Sequence, residues 1–398
     1  MVRPPKKRRT ASVPNWPTRS SQTPKRVARF EAFAAVRPPR ALAGLVSTRS
    51  YVTYSEEELV HKLGTNPYSF LHVLQRRSPE ADARFSGVRK GYEDFLANGY
   101  LVADAEPHIY LYRQQWAGQT FVGYLGLVSL DDYRAGRIIK HEHTLEAREA
   151  LFARYLETVG FHAEPVLLTH PPVPELRATA AQVQRSEPLL DFATTDGAVH
   201  SLWTVPDPQP VQAALAQLGR LYIADGHHRM ASSERLGENA FVMAYLVDSS
   251  QISLSSFHRH IAGPAIGDWV SALGAEPVAQ RPDGLPEKGF FALDHRGWWK
   301  FEPDNLAFPE SSWLFEQVLA PFWNVTDERH DARVRYEPGV VDLARVEAGR
   351  RDQETIFVLP HPHWDDVERW ADQGKSVPPK STYIEPKLRS GVTMYAWK

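Results

Sequence analysis

Residues able to do chemistry are densest at one turn, where a short apolar run of strand character meets a helical segment. The run, residues 221–224, leads directly into five such residues: Asp225, Gly226, His227, His228 and Arg229. At a turn of this kind, free N–H groups and the positive end of the helix can hold an anion. The carboxylate of Asp225 suits a metal ion or a hydroxyl, and the guanidinium of Arg229 suits a phosphate. A functional site and a solvent-exposed Asp-Gly turn are the two hypotheses for this stretch.

A second polar group comes earlier in the chain and consists of His141, Glu142 and His143. Histidine and carboxylate side chains suit a divalent ion, but the His-Glu-x-x-His spacing of helical metalloproteases is absent. A carboxylate near polar groups can instead act as a general base that takes a proton from a hydroxyl. A metal site, a general base and an exposed polar turn before a charged helix all remain open.

A third group, Lys380, Ser381 and Thr382, follows two prolines. A lysine beside two hydroxyls is a reasonable phosphate contact, although the glycines of a Walker A loop are absent upstream. The sequence also lacks the Gly-x-Gly-x-x-Gly fingerprint of dinucleotide-binding folds and the Gly-x-Ser-x-Gly elbow of α/β-hydrolases. A histidine-rich metal site is a further alternative because of two His-x-His pairs: His258 with His260, and His361 with His363.

At 398 residues the chain has room for two domains, or for one large domain with an appendage. No apolar run approaches the roughly 20 residues of a membrane helix, so we expect no membrane span. The absence of cysteine excludes disulfides, thiolate nucleophiles and cysteine zinc sites. Since no secretory signal is recognisable either, we predict a cytoplasmic protein.

Charge is unevenly distributed along the chain. Residues 1–29 contain nine Lys or Arg and no Asp or Glu, which leaves 37 basic against 48 acidic residues elsewhere. Because this stretch is also rich in Pro, Ser and Thr, we predict a disordered basic tail. The basic run at 6–9 could contact nucleic acid or localise the protein, and a solvated extension or a misassigned start is the alternative.

The elements that must position these groups alternate between helical and strand patterns without a regular βαβ series, which predicts an α/β (α+β) fold. Strand patterns are strong in a hairpin over residues 109–128 and in the run 241–247. A Gly-Pro pair at 263–264 marks a predicted boundary between a core, residues 30–262, and a C-terminal α/β domain, residues 263–398.

Three local predictions can be compared directly with a structure. Ser55 and Glu58 have the spacing of a capping box at a helix start. Residues 68–74 are predicted to form a strand, and residues 170–187 to form an irregular connection.

Four motifs occur here in the same order as in the domain-of-unknown-function family numbered 1015, which the chain resembles over residues 30–398. They are Asn-Pro-Tyr-Ser-Phe-Leu-His-Val at 66–73, Lys-His-Glu at 140–142, Ala-Asp-Gly-His-His-Arg at 224–229 and Pro-Pro-Lys-Ser-Thr-Tyr at 378–383. That family in turn resembles free-serine kinases with a ParB/sulfiredoxin-like fold, which share short forms of the last three motifs. The resemblance implies a ParB/sulfiredoxin-like core with a C-terminal α/β extension that completes the site.

The resemblance also implies a role for each group. Glu142 would be the general base on a serine hydroxyl, with Asp225 and His228 in the catalytic set and Asp225 on Mg²⁺. The residues expected to contact the phosphates of ATP or ADP are Gly226, His227, Arg229, Lys380, Ser381 and Thr382. The implied reaction transfers phosphate from ATP or ADP to free L-serine or a similar small metabolite.

The chain departs from the family pattern at three places. Ser-Tyr-Val at 50–52 stands where the family usually has Pro-Tyr-Asp, Leu151 and Phe152 replace an expected Asp-Arg pair, and Tyr155 replaces a histidine. A weak kinase, a kinase of another acceptor and a catalytically silent family member therefore remain open. A nucleotide-binding, DNA-associated regulatory protein on a ParB-like fold, with the basic tail on nucleic acid, is the alternative of a different class.

Overall fold

In the computed structural model of the protein, the described residues are 28–398 without 75–77, 239, 329 and 379, and the side chain of Val52 is not among them. Of the predicted basic tail, only the last two residues fall in this range. The backbone N–H of Arg29 donates to Asp132 Oδ2 at 2.6 Å, and its guanidinium donates to Ser129 Oγ at 2.8 Å. None of the helices over the described residues has the length and apolar character that crossing a bilayer requires.

The strands are numbered in chain order. They are β1 (Phe30–Glu31), β2 (Val36–Arg37), β3 (Thr48–Arg49), β4 (Val102–Ala103), β5 (Tyr110–Trp116), β6 (Gln119–Ser129), β7 (Ile138–Ile139), β8 (Phe161–His162), β9 (Val166–His170), β10 (Leu190–Ala193), β11 (Val199–Thr204), β12 (Leu221–Asp225), β13 (Phe241–Asp248), β14 (Ser253–Ser255), β15 (Phe257–Ala262), β16 (Glu276–Val278), β17 (Phe290–Asp294), β18 (Gly297–Phe301), β19 (Val334–Pro338), β20 (Glu354–Val358), β21 (Tyr383–Glu385), β22 (Arg389–Ser390) and β23 (Tyr395–Ala396).

The α-helices follow the same convention. They are α1 (Ala43–Val46), α2 (Glu56–Thr65), α3 (Leu71–Leu74), α4 (Ala81–Ala97), α5 (Leu130–Arg134), α6 (Glu146–Val159), α7 (Pro174–Val183), α8 (Gln209–Leu215), α9 (His227–Glu234), α10 (Trp269–Ala272), α11 (Glu310–Leu314), α12 (Ala320–Trp323), α13 (Leu343–Ala348) and α14 (Trp364–Asp372). A π-helical turn, Phe315–Leu319, joins α11 to α12.

The first half of the chain is built on a mixed sheet. Its strand order over the described residues is β10-β11-β5-β6-β13-β9-β12-β7, with β1 paired to β6. On β5, Leu111 lies in one apolar cluster with residues of α7 and α8, while Tyr110 and Tyr112 lie in another with residues of the C-terminal segment. Because successive strand side chains point to opposite faces, the sheet is packed on both sides. Mixed helix and strand content around this sheet confirms the predicted α/β (α+β) class.

One edge of the sheet determines where the site lies. Strands β12 and β7 are parallel neighbours, with Leu221 paired to Ile138 and Tyr222 paired to Ile139. Strand β9 runs antiparallel on the other side of β12. Parallel strands have their carboxyl ends at the same end of a sheet, so the residues that follow β7 and β12 emerge side by side.

A second sheet forms after β14, and the chain then returns to the first half. The second sheet has the order β16-β18-β17-β20-β15-β19, and its apolar core includes Trp269, Trp323 and Phe357. Beyond it, β21 pairs with β14, β22 with β3, and β23 with β8. The C-terminal residues therefore pair with strands from much earlier in the chain.

The predicted hairpin over residues 109–128 and the predicted capping box are both confirmed. Strands β5 and β6 form the expected antiparallel hairpin. The Ser55 side chain accepts the N–H of Glu58, and the Glu58 side chain accepts the N–H of Ser55, so both bonds of the capping box at α2 are present.

Two other local predictions are wrong. Residues 68–74 were predicted to form a strand, but residues 71–74 form α3. Leu71 and Val73 are buried while His72 and Leu74 are half-buried, an alternation that a strand would also show. The predicted connection at 170–187 contains α7, which begins at Pro174. Its buried face has helical spacing, but its many small residues weaken the apolar pattern.

Candidate active site

Two carboxylates lie at the ends of the neighbouring parallel strands. Tyr222 is paired with Ile139, and Asp225 and Glu142 each follow that pair by three residues. The two groups are close enough that the charge of Asp225 changes the acidity of Glu142. The sheet thereby unites two groups that the sequence presents as separate motifs.

The acidity of Glu142 is strongly altered. Burial, and next the negative charge of Asp225, raise the pKa of Glu142 to about 7, against the opposing charges of Lys380 and Lys387. A carboxyl group with a pKa close to the working pH is well suited to accept a proton from a hydroxyl. Such shifts are concentrated at functional sites, so Glu142 is the strongest candidate here for a general base.

A network of ion pairs holds Asp225. Arg229 Nη2 lies 2.9 Å from Asp225 Oδ2, and Arg229 Nη1 lies 2.7 Å from Glu164 Oε2. Lys387 Nζ lies 3.9 Å from Asp225 Oδ1. Burial acts to raise the pKa of Asp225, but the charges of Lys387 and Arg229 outweigh it and lower that pKa below its ordinary value. Asp225 is therefore ionised at neutral pH, beside a Glu142 that exchanges its proton there.

The turn between β12 and α9 requires a glycine. Gly226 has a φ of 95°, and a Cβ at this position would lie 2.9 Å from both Nε and Nη2 of Arg229. Helix α9 begins at His227, so its first N–H groups, which have no partner within the helix, lie next to Asp225. N–H groups of this kind bind phosphate oxygens.

The histidines of the two motifs have different surroundings. The buried rings of His141 and His227 meet edge to face, with their centroids 4.5 Å apart. The backbone N–H of His141 points at Nε2 of His227 over a donor–acceptor distance of 3.5 Å. Burial lowers the pKa of His141 to about 4 and that of His227 well below its ordinary value, so both rings are neutral at pH 7. His228 is half-buried, and burial followed by the charge of Arg148 lowers its pKa too. His143 is exposed.

The C-terminal motif is tied to the His-Glu segment through the main chain. The N–H of Val377 donates to the carbonyl of His141 at 2.7 Å, and Val377 forms a parallel bridge with Glu142. Three residues further on, Lys380 is exposed and has a φ of 63°, which residues with a side chain adopt infrequently. This bridge is the reason that the charge of Lys380 reaches Glu142.

The remaining predicted phosphate contacts differ in accessibility. Ser381 is buried, and its hydroxyl lies 2.8 Å from the hydroxyl of Ser311 at the start of α11. Thr382 is half-buried. The structure therefore unites Glu142, Asp225 and the residue 226–229 turn with Lys380, while the Ser381 hydroxyl is engaged within the protein.

Three charged residues of the site were not identified from the sequence. Lys387 and Glu164 sit in no motif with a recognised spacing, and only the fold brings them to Asp225 and Arg229. Arg148 lies on α6 four residues before Phe152, over whose ring its guanidinium is placed at 5.8 Å. A spacing of four residues puts both side chains on one face of the helix. This spacing was the sequence signal that could have indicated a cation near the position where the family has an arginine.

The sequence predicts Mg²⁺ at Asp225. In the part of the chain that the structure describes, no group of three or more His, Asp or Glu side chains is arranged to hold a metal ion. In phosphoryl-transfer sites Mg²⁺ is often held by one or two carboxylates together with phosphate oxygens and water. Asp225, whose side chain is 39% exposed, fits this second kind of site.

The other histidine pairs lie in or beside the second sheet. His258 and His260 are fully buried on β15, and His260 lies between Glu337, at 2.9 Å, and Glu354, at 3.2 Å. His361 follows β20, and its pKa is lowered by burial. His258 and His260 belong to the interior of the second sheet, whereas His361 and His363 are exposed in the segment between β20 and α14.

The sequence matches the family model described as "Protein of unknown function (DUF1015)" over residues 30–278, and the chain belongs to this family. Membership confirms the resemblance carried by the four motifs, although the matched span ends before the last of them. Among curated proteins, the sequence has no significant match.

Several solved structures are similar to the chain at low identity. SbnI with a C-terminal truncation, from Staphylococcus aureus, has a TM-score of 0.39 and 16% identity, over 66% of this chain and 82% of that one. A free serine kinase variant in complex with AMP has a TM-score of 0.39 and 13% identity, over 68% of this chain and 90% of that one. A conserved hypothetical protein from Pyrococcus furiosus has a TM-score of 0.35 and 15% identity, over 66% and 92%. These likenesses are too distant to assign an activity to this chain.

Proposed function

We propose that the protein is a phosphotransferase that moves a phosphoryl group from ATP or ADP to the hydroxyl of free L-serine or a similar small metabolite. The observation that carries the proposal is Glu142, a carboxyl group with a pKa of about 7, beside the ionised Asp225 and close to two lysines. Phosphoryl transfer requires a hydroxyl positioned for in-line attack and fixed positive charge around the phosphate. This cluster can supply both.

In the proposed reaction the acceptor hydroxyl oxygen attacks the terminal phosphorus of the nucleotide. The proton of the hydroxyl moves to a carboxylate oxygen of Glu142, and the bond from phosphorus to the leaving nucleotide oxygen breaks. Lys380 and the first N–H groups of α9 would donate to the phosphate oxygens on which charge develops. Mg²⁺ on Asp225 would neutralise phosphate charge when bound.

The test is a phosphoryl-transfer assay with Mg²⁺ in which ATP and ADP are offered separately against free hydroxy amino acids. Wild-type protein is expected to form phosphoserine, and Glu142→Gln is expected to lower kcat by about 10²–10⁴-fold, the usual contribution of a general base. Nucleotide affinity should stay within about twofold, because the substitution keeps the shape of the side chain. The rate of the wild type should rise with pH through about 7 as Glu142 ionises.

Glu187→Gln is a matched control, since it removes the same charge from a side chain that is 79% exposed. It is expected to retain wild-type turnover. Phosphoserine formation at the wild-type rate by Glu142→Gln would exclude Glu142 as the base. Failure of the wild type to phosphorylate any hydroxylated acceptor would exclude the proposed function.

A further inference from the structure

A groove of about 570 Å³ opens in the second half of the chain and reaches the candidate active site at Lys380. Sites for small molecules usually have volumes of about 300–1,000 Å³. The groove follows the edge strand β19 and the loop before β20, which lie outside the span matched by the family. The side chains of its lining that matter here are Arg333, Arg335, Tyr336, Arg351 and Lys380.

Only part of the positive charge in this groove is neutralised by the protein. Arg333 is 2.6 Å from Asp331, and Arg335 is 2.9 Å from Glu354. The side chains of Arg351 and Lys380 have no ion-pair partner within the described ranges, and both residues are exposed. The Lys380 ammonium lies 4.8 Å from the ring centre of Phe257. Both cations therefore carry charge that no described carboxylate neutralises, and that charge can attract an anion from solution.

Positive charge is further concentrated around Lys380. Although Lys380 is exposed as a residue, desolvation of its ammonium group lowers its pKa. The charges of Lys387, Arg148 and Arg259 lower this pKa as well, against the opposing charge of Glu142. Arg259 is fully buried, with its guanidinium 4.7 Å from the ring centre of the groove residue Tyr336. Its Nε lies 3.2 Å from Glu328 Oε2, while its Nη2 has no hydrogen-bond partner among the described residues. An anion at Lys380 would relieve this repulsion.

The chemistry of the lining favours a chain of phosphates over other anions. Guanidinium groups bind phosphate oxygens in pairs, and an ammonium group binds them as a point charge. The carboxylates of Asp352 and Glu354 also line the groove, so its positive charge is local and does not form the extended basic surface that nucleic acid requires.

We infer that this groove binds a polyphosphate chain, with Arg351 holding the distal phosphates and Lys380 presenting the terminal one to the site of Glu142. The inference rests on the proposed function for the identity of the ligand as the phosphate donor. A nucleoside polyphosphate and inorganic tripolyphosphate share the chemistry that the groove recognises, and the experiment distinguishes them.

The experiment measures binding of MgATP, MgADP and Mg-tripolyphosphate to the full chain by calorimetry, for wild type, Arg351→Gln and Arg351→Glu. Loss of one charged contact should raise Kd about five- to tenfold, and charge reversal should raise it more. The KM for the nucleotide should rise in parallel while the KM for serine stays unchanged. Arg350→Gln is the control, because Arg350 is the preceding residue, bonds the Glu354 carbonyl and does not line the groove.

The possible outcomes distinguish phosphate binding in the groove from the proposed kinase reaction. Phosphoserine formation with unchanged nucleotide affinity in both Arg351 variants would overturn the groove and leave the proposed function standing. Tripolyphosphate binding that depends on Arg351, without phosphorylation of any acceptor, would support the groove and overturn the function. The inference about the groove would be overturned if none of the three ligands bound. It would also be overturned if Arg350→Gln weakened binding as much as Arg351→Gln.

Discussion

At the scale of the residue, an altered pKa has a cost in stability. The pKa of Glu142 is about 7 in the folded protein and near 4.5 when the chain is unfolded, so folding favours the protonated form. The raised pKa therefore costs no stability below pH 4.5, and the free energy of unfolding decreases as the pH rises from there through 7. Strain of this kind is common where a site is arranged for chemistry.

Glu142→Gln should therefore stabilise the protein at high pH. The variant lacks the buried charge, so its free energy of unfolding should exceed that of the wild type by about 1–3 kcal/mol at pH 8. The difference should shrink by about 1 kcal/mol as the pH falls from 8 to 6. Urea unfolding at several pH values measures it, and Glu187→Gln should show no such trend. An equal difference at both pH values would mean that the pKa of the Glu142 carboxyl group is not shifted.

Reasoning from single residues identified both carboxylates but not their surroundings. Glu142 and Asp225 each stand in a dense polar motif, and such motifs are visible in a sequence. Lys387 and Glu164 could not be found in this way, because their relation to Asp225 and Arg229 exists only after the chain has folded. The buried Ser381 hydroxyl illustrates the converse, since adjacency to Lys380 in sequence does not expose it.

At the scale of the element, the turn from β12 into α9 depends on its glycine. Gly226→Ala should lower the free energy of unfolding by about 2–4 kcal/mol, because the new Cβ combines an unfavourable φ with contact on the Arg229 guanidinium. Gly99→Ala is the control, since Gly99 has a φ of 71° but open space around a Cβ.

The control should lose only about 1–2 kcal/mol, the cost of the backbone conformation alone. Urea unfolding of the two variants compares them directly. Equal losses would show that the Arg229 contact adds nothing, and that the ion pairs around Asp225 tolerate a displaced guanidinium.

Elements were predicted well where local patterns dominate. The β5–β6 hairpin and the capping box of α2 depend on residues close in sequence, and both were identified. The helix α3 was misjudged because four residues are too few to distinguish a helical period from a strand period, and its buried Leu71 and Val73 have the spacing of a strand. The pairing of β12 with β7, which creates the site, has no signature in either strand alone.

At the scale of the whole molecule, buried histidines should make the fold sensitive to acid. Burial lowers the pKa values of five of them: His141 to about 4, His162, His200 and His258 to about 3, and His227 well below the ordinary value. Each is neutral in the folded protein and is protonated near pH 6.5 when unfolded. Their contribution to stability is present above pH 6.5 and is lost as the pH falls.

The protein should accordingly unfold cooperatively between about pH 6 and pH 4. Protonation of several such histidines favours the unfolded state by more free energy than a typical stability of about 5–15 kcal/mol. Circular dichroism against pH measures the midpoint. His258→Gln should move the midpoint to lower pH, whereas His61→Gln, at an exposed position, should leave it unchanged. A fold intact at pH 4 would contradict the prediction.

The return of the C-terminal residues has a consequence for biosynthesis. The main-chain bond from Val377 to His141, and the strands β21, β22 and β23, are available only after residues 377–398 have been made. A chain still being translated has made Glu142 and Asp225 before it has made Lys380 and Lys387. It also lacks the apolar residues that complete the core on one face of the first sheet, which are Ile384, Leu388 and Val392. Of the two cationic partners of Asp225, only Arg229 is then present, and both lysine charges that oppose the raised pKa of Glu142 are missing. We therefore expect the charges around Glu142 and Asp225 to reach their final arrangement only after residue 387 has been made.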